Sequence, residues 1–145
     1  MTVTPNLKTQ ANAQSGVSAI EMALLLPLLM LMLDAVLEFG LILHNKSVLT
    51  SAANMAARAG IVQTSPKLSN AQISTIATQY CTNRLMAWGT PEVPNITVVQ
   101  AADPSYPNPL QVTVRYTVKG LFVGGLLAAF QTNPELSATT VMYNE

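Results

Sequence analysis

Ala23-Leu-Leu-Leu-Pro-Leu-Leu-Met-Leu-Met-Leu-Asp-Ala-Val-Leu-Glu-Phe-Gly-Leu-Ile-Leu43 is the stretch that decides the architecture. At about 1.5 Å per helical residue, its roughly 21 residues suit the hydrocarbon thickness of a bilayer. Two acids, Asp34 and Glu38, interrupt it. Each acid at the centre of a span costs about 3 kcal/mol, and each Leu, Ile, Val or Phe returns about 0.3 to 0.6 kcal/mol. Ten Leu with Val36, Phe39 and Ile42 therefore nearly balance the two carboxylates. The span inserts, but its acids need partners. Pro27 removes one helical hydrogen bond, which predicts a kink that neighbouring groups can tolerate in a membrane.

Composition agrees with an anchor carried by a small protein. Of 145 residues, 50% are hydrophobic and only 10% charged, well under the usual charged share of about 25%. Seven basic and seven acidic side chains cancel, so no basic patch is available for nucleic acid. Cys81 is the one cysteine and His44 the one histidine. An internal disulfide and a cysteine-paired zinc site are thereby excluded, and neither a metal nor another cofactor is expected.

Outward from the span, residues 1–15 are polar, with Pro5, Asn6, Asn12 and Lys8, and read as an irregular tail or leader. On the other side, Thr50-Ser-Ala-Ala-Asn-Met-Ala-Ala-Arg-Ala-Gly60 continues the helix, with Gly60 placed to end it in a left-handed conformation. Ala52/Ala56, Ala53/Ala57 and Ala56/Gly60 form small-residue pairs four apart. They fit either simple helix propensity or a face that another backbone approaches closely. Ser69-Asn-Ala-Gln72 is a capping box opening a second helix. Ile73, Ile76, Ala77, Tyr80 and either Leu85 or Arg84 follow at helical spacing, and Trp88-Gly89 closes it before Pro91. Tyr80 and Trp88 read as packing residues of its core face.

Beyond Pro94 the period changes to two. Ile96 to Val99 suggests a first strand, and Val112, Val114, Tyr116 and Val118 alternate with Thr113, Arg115 and Thr117 in a second. Ser137 to Tyr143 reads as a third, after a turn-rich loop at 103–109 and an apolar run at 121–130 that is too short to span a membrane. That run reads as a docking element on the sheet or on the membrane surface. The fold class expected is α+β: a long transmembrane helix continuing into a small domain with a second helix and a short antiparallel sheet. The divisions are a leader at 1–16, the transmembrane and extended helix at 17–60, and the small domain at 61–145.

Function is most legible in Gln14-Ser-Gly-Val-Ser-Ala-Ile-Glu-Met-Ala-Leu24. Gly16 stands before the apolar helix and Glu21 is the fifth residue after it. Prepilin peptidases cut after such a glycine, which here would free the amino group of Val17. In a bundle of packed helices, a carboxylate near the bilayer edge can pair with the new ammonium group of an adjacent subunit. Removing either partner strands a buried charge.

Ser15-Gly-Val-Ser-Ala-Ile-Glu-Met-Ala-Leu-Leu-Leu-Pro-Leu-Leu-Met-Leu-Met-Leu33 resembles the TadE-like pseudopilins of tight-adherence (Flp, type IVc) pilus systems. The similarity continues through Leu37-Glu-Phe-Gly40 and Ala53-Asn-Met-Ala-Ala-Arg-Ala-Gly60, and loosely into Ser137-Ala-Thr-Thr-Val-Met-Tyr143. It implies a pseudopilin or minor pilin that serves pilus assembly, adhesion and biofilm formation. It also implies leader removal by prepilin peptidase, and partners among pilin or pseudopilin subunits, inner-membrane platform proteins and membrane lipid. The implied location is the inner membrane, with the N-terminus cytoplasmic, the domain periplasmic, and the mature subunit extracellular if it enters a pilus. Asp34 departs from the family's usual apolar residue. Lys8 is the leader's one basic residue, while Lys46 and Arg58 follow the span, so the orientation rests on the cleavage motif and not on the positive-inside rule.

Catalytic residues are not evident, since no serine or acid pair is placed to form a triad with His44. Asp34 and Glu38 are i and i+4 and share one helix face. They fit a proton relay or a contact with basic groups of another protein. One helix builds no proton pathway, so the contact with a protein partner is preferred. Asn45-Lys-Ser47 and Asn95-Ile-Thr97 also match the glycosylation sequon. Besides a pilin, the chain fits a membrane-anchored assembly factor that never enters a filament, or a signal-anchored periplasmic enzyme or binding domain.

Overall fold

The computed structural model describes residues 7–62, 66–89, 92–100, 109–120 and 135–143. Helix α1 spans Leu7–Ile61 as one element with Pro27 inside it. It begins earlier than the expected irregular tail allows. Leu7 to Ser15 contains neither Pro nor Gly, so nothing in that stretch stops a helix propagating back from the apolar run. The window of α1 most suited to crossing a membrane is only 6% buried. A core helix of a soluble protein would be mostly covered. Among the described residues this is the one helix whose length, composition and exposure suit a membrane anchor.

Helix α2 spans Asn70–Cys81, opened by the expected capping box. The Ser69 backbone N–H donates to Gln72 Oε1 at 2.9 Å, and the Gln72 N–H donates to Ser69 Oγ at 3.3 Å. The helix stops well short of Trp88-Gly89. Thr82 leaves helical geometry and Asn83 takes a left-handed φ of 63°, a conformation that Asn tolerates better than most residues. Cys81 C=O accepts from the Arg84 and Leu85 N–H groups, closing the turn. The following residues are then held against α1. His44 Nε2 lies 3.1 Å from Arg84 O, and Asn45 bonds the backbone of Met86 on both sides. These ties win over continued helix. Trp88, expected in the core, is 41% exposed.

Strands β1 (Asn95–Gln100), β2 (Pro109–Thr117) and β3 (Glu135–Tyr143) form one antiparallel sheet in the order β1-β2-β3. The pairs Val98↔Val112 and Val112↔Thr140 set the register. Even-numbered side chains face the helices: Ile96 and Val98, then Leu110, Val112, Val114 and Tyr116, then Leu136, Ala138 and Met142. Odd-numbered residues form an outer face, where Thr113 and Thr139 hydroxyls pair at 3.0 Å and Arg115 lies 3.7 Å from Glu135 across the strands. Alternation places the apolar set on one side, as period two requires. The apolar run at 121–130 and most of the turn-rich loop lie outside the described residues.

The core lies where the sheet and α2 meet one stripe of α1. Leu49, Ala52, Ala53, Ala56 and Ala57 are all fully buried, against Ile73, Ala77, Val112 and Val114. The small-residue pairs are thus a packing face, used within this chain. Gly60 is buried inside the helix and does not end it. A Cβ there would fall on Leu110 Cδ2 and 2.8 Å from Ile73 Cδ1. Close approach, not left-handed geometry, is what the glycine supplies.

Asn45 is fully buried. Its Nδ2 donates to Met86 O at 2.7 Å, and its Oδ1 accepts from the Met86 N–H at 2.9 Å. Both ends of the amide are committed, so this sequon is not an acceptor in the folded chain. Asn45→Ala removes two hydrogen bonds and leaves backbone groups of Met86 without them, a loss of about 2 to 4 kcal/mol. Thermal unfolding followed by circular dichroism in detergent micelles is expected to shift down by on the order of 10 °C. An unchanged midpoint would show that the clamp does not hold the domain to the helix.

Candidate functional site

The residues singled out in the sequence lie along α1, and its exposure pattern sorts them. Val17, Ile20, Leu24, Leu29 and Met32 are each more than half exposed, so this part of the helix presents apolar side chains all round. Such a surface suits lipid or other apolar helices. Glu21 is exposed among them. Gly16 and Val17 lie within the helix, and Val17 is 58% exposed.

Asp34 and Glu38 differ from their neighbours. They are 9% and 8% exposed, whereas Leu33, Val36, Leu37 and Phe39 range from 51% to 69%. Both acids are covered within this one chain, so neither faces lipid. They sit in register with Asn45, Val48, Leu49, Ala52 and Ala56, a continuation of the stripe that carries the domain. A polar stripe in phase with a small-residue stripe was the available signal for Asn45, which the sequence reading passed over except as a sequon.

Above them the domain is bound to α1 by polar contacts in ascending order. His44 meets Arg84, Asn45 meets Met86, Lys46 Nζ donates to Ser137 O, and Thr140 Oγ1 donates to Asn54 Oδ1 at 2.8 Å. Strand β3 therefore runs in the same sense as α1. The ends of the sheet at Asn95, Thr117 and Glu135 point toward the membrane span.

That end carries the electrostatic features outside the span. Lys119 Nζ lies 2.6 Å from Glu92, and this hydrogen bond, with the charge of the carboxylate, raises the Lys119 ammonium above its ordinary range. Burial pushes the Tyr116 hydroxyl up. A cleft of about 250 Å³ between the end of α2 and the start of β1 is lined by Thr78, Cys81, Asn83, Leu85 and Glu92 among others. Cys81 is 2% exposed there, and burial raises its thiol. Tyr80 is half-buried, with the Arg84 guanidinium 4.1 Å from its ring centroid. Among the described residues, no group of three His, Cys, Asp or Glu side chains is placed to hold a metal ion.

A buried thiol with a raised pKa stays protonated and reacts slowly. Iodoacetamide at pH 8 is therefore expected to leave Cys81 unmodified in the folded chain and to alkylate it after denaturation. Because the folded pKa is the higher one, the contribution to stability is complete below the unfolded thiol's pKa and fades as pH rises through the folded value. Rapid labelling of the folded chain would contradict this placement.

No curated protein and no solved structure matches the chain. Residues 16–58 match the family model of the TadE-like proteins. The matched segment starts at Gly16, contains Glu21, Pro27, Asp34 and Glu38, and ends within the small-residue stripe. Over that segment, from Gly16 through the domain-bearing stripe, the chain is similar to the TadE-like proteins.

Proposed function

We propose that this chain is a pseudopilin or minor pilin of a tight-adherence pilus system, a structural subunit and not an enzyme, needed for pilus assembly in surface adhesion and biofilm formation. The observation that carries the reading is a coincidence of position. The TadE-like match opens at Gly16, and the helix that follows exposes apolar side chains from Val17 through Leu33. A helix of this kind is an anchor before assembly and a packing surface afterwards. Lipid and neighbouring apolar helices are interchangeable as its surroundings. Pro27 leaves one carbonyl without its helical donor, giving the helix a place to bend against a neighbour. The chain sits in the inner membrane with the domain periplasmic, and its partners are prepilin peptidase, other pilin subunits and platform proteins.

Processing comes first. Cells that express prepilin peptidase should yield a mature chain beginning at Val17, read by mass spectrometry of the intact N-terminus. Gly16→Ala should slow or block the cut, because the peptidase cleft has to accept a close backbone approach. A terminus at Met1 or Thr2, or a cut at a later small residue, would sink the pilin reading. Recovery of the mature chain in sheared filaments would separate a subunit from an assembly factor that stays in the membrane.

Glu21 is the second test. Glu21→Gln keeps the side-chain shape and deletes the charge meant for a neighbour's new ammonium group. Membrane insertion should persist, while incorporation into the assembly falls by about tenfold, as loss of a close charge pair worth about 1.4 kcal/mol would give. Normal piliation with the variant present in the fibres would rule out the pairing.

A further inference from the structure

The lower end of the domain carries apolar side chains that the core does not use. Met86 is 52% exposed, Trp88 41% and Val93 82%. All three belong to the connection between α2 and β1, and the contacts with α1 fix its height. Arg84 is tied to His44 and Met86 to Asn45. Those two residues directly follow Leu43, the last of the long apolar run. Asn95 opens β1 at the end of the sheet that also holds Arg115, Thr117 and Glu135. The connection therefore lies at the level where α1 leaves the hydrocarbon, on the side of the domain that faces the bilayer.

We infer that this end of the domain rests on the membrane, with Trp88 and Met86 in the headgroup layer and Arg84 against lipid phosphate. The inference rests on the reading of α1 as a membrane anchor. Trp is favoured at the membrane–water boundary because one end of its ring system is apolar and its N–H needs a polar partner. Arg84 is exposed, and its position over the Tyr80 ring holds the guanidinium at the same level. Three large apolar side chains in water would be a liability; at the surface of the bilayer that α1 already crosses, they are satisfied. The contact makes the domain a second point of attachment, so tilting of α1 and seating of the domain become linked.

Trp88 is the one tryptophan in the chain, so its emission reports this surface directly. The full chain is reconstituted in vesicles of phosphatidylcholine and phosphatidylglycerol, with and without acyl chains brominated near the headgroup, and the vesicles are floated to isolate bound protein. Brominated lipid is expected to remove about half of the emission, and aqueous iodide to quench weakly, as for an interfacial indole. A double variant, Trp88→Phe with Val141→Trp, moves the indole to the outer face near the far end of β3; it should be quenched by iodide and not by bromine. If the floated wild-type chain shows strong iodide quenching and no effect of bromine, the domain stands clear of the bilayer and the inference is overturned while the anchor stands. If the chain does not float with the vesicles, the anchor reading fails and the inference falls with it.

Discussion

Close approach along one stripe of α1 is the constraint on which the domain depends. Ala52, Ala53, Ala56, Ala57 and Gly60 contribute almost no side-chain bulk, and all are buried. What they contribute is proximity, which lets Ile73 of α2 and Leu110, Val112 and Val114 of β2 reach the helix backbone. The apolar volume comes from the sheet and α2, and the room for it comes from α1. At Gly60 the fit leaves no space for a methyl group beside Leu110 and Ile73. Overfilling a tight core of this kind typically costs about 1 to 3 kcal/mol.

The same helix works in two solvents. Through Leu33 its surface is apolar and exposed, as lipid or packed helices require. From Asp34 upward one side is covered by the chain itself, and the side chains on that side change from carboxylates to Asn45 and then to small residues. Burying polar groups at the junction is costly unless they are hydrogen-bonded. Asn45 meets the requirement with both ends of its amide. A continuous helix of 55 residues then joins the apolar span to the domain without a break in secondary structure.

Much of the fold was legible because its signals are local. The run from Ala23 to Leu43 shows its length and polarity directly. Ser69 and Gln72 satisfy each other's backbone within one turn, and the alternation from Val112 to Val118 needs only the pleat to become a buried face. The candidate site rests on signals just as local: Gly16 and Glu21 are read from their spacing, and both lie inside the segment similar to the TadE-like proteins.

Tertiary structure decided the rest. Near Cys81 the sequence offers only Asn83, which tolerates a left-handed conformation, as a sign that α2 ends there. The stop is set by Asn45 and His44, about forty residues away, which hold Met86 and Arg84 against α1. Trp88 leaves the core for the same reason, and Gly60 serves a contact with Leu110 rather than a helix end. The sequence by itself determined the apolar span, the strands and the cap, because each depends on residues within a few positions of one another. Where α2 stops, which face of α1 is covered and what lies at the membrane surface depend on groups distant in sequence competing for the same backbone partners and the same space, and only the folded chain settles that competition.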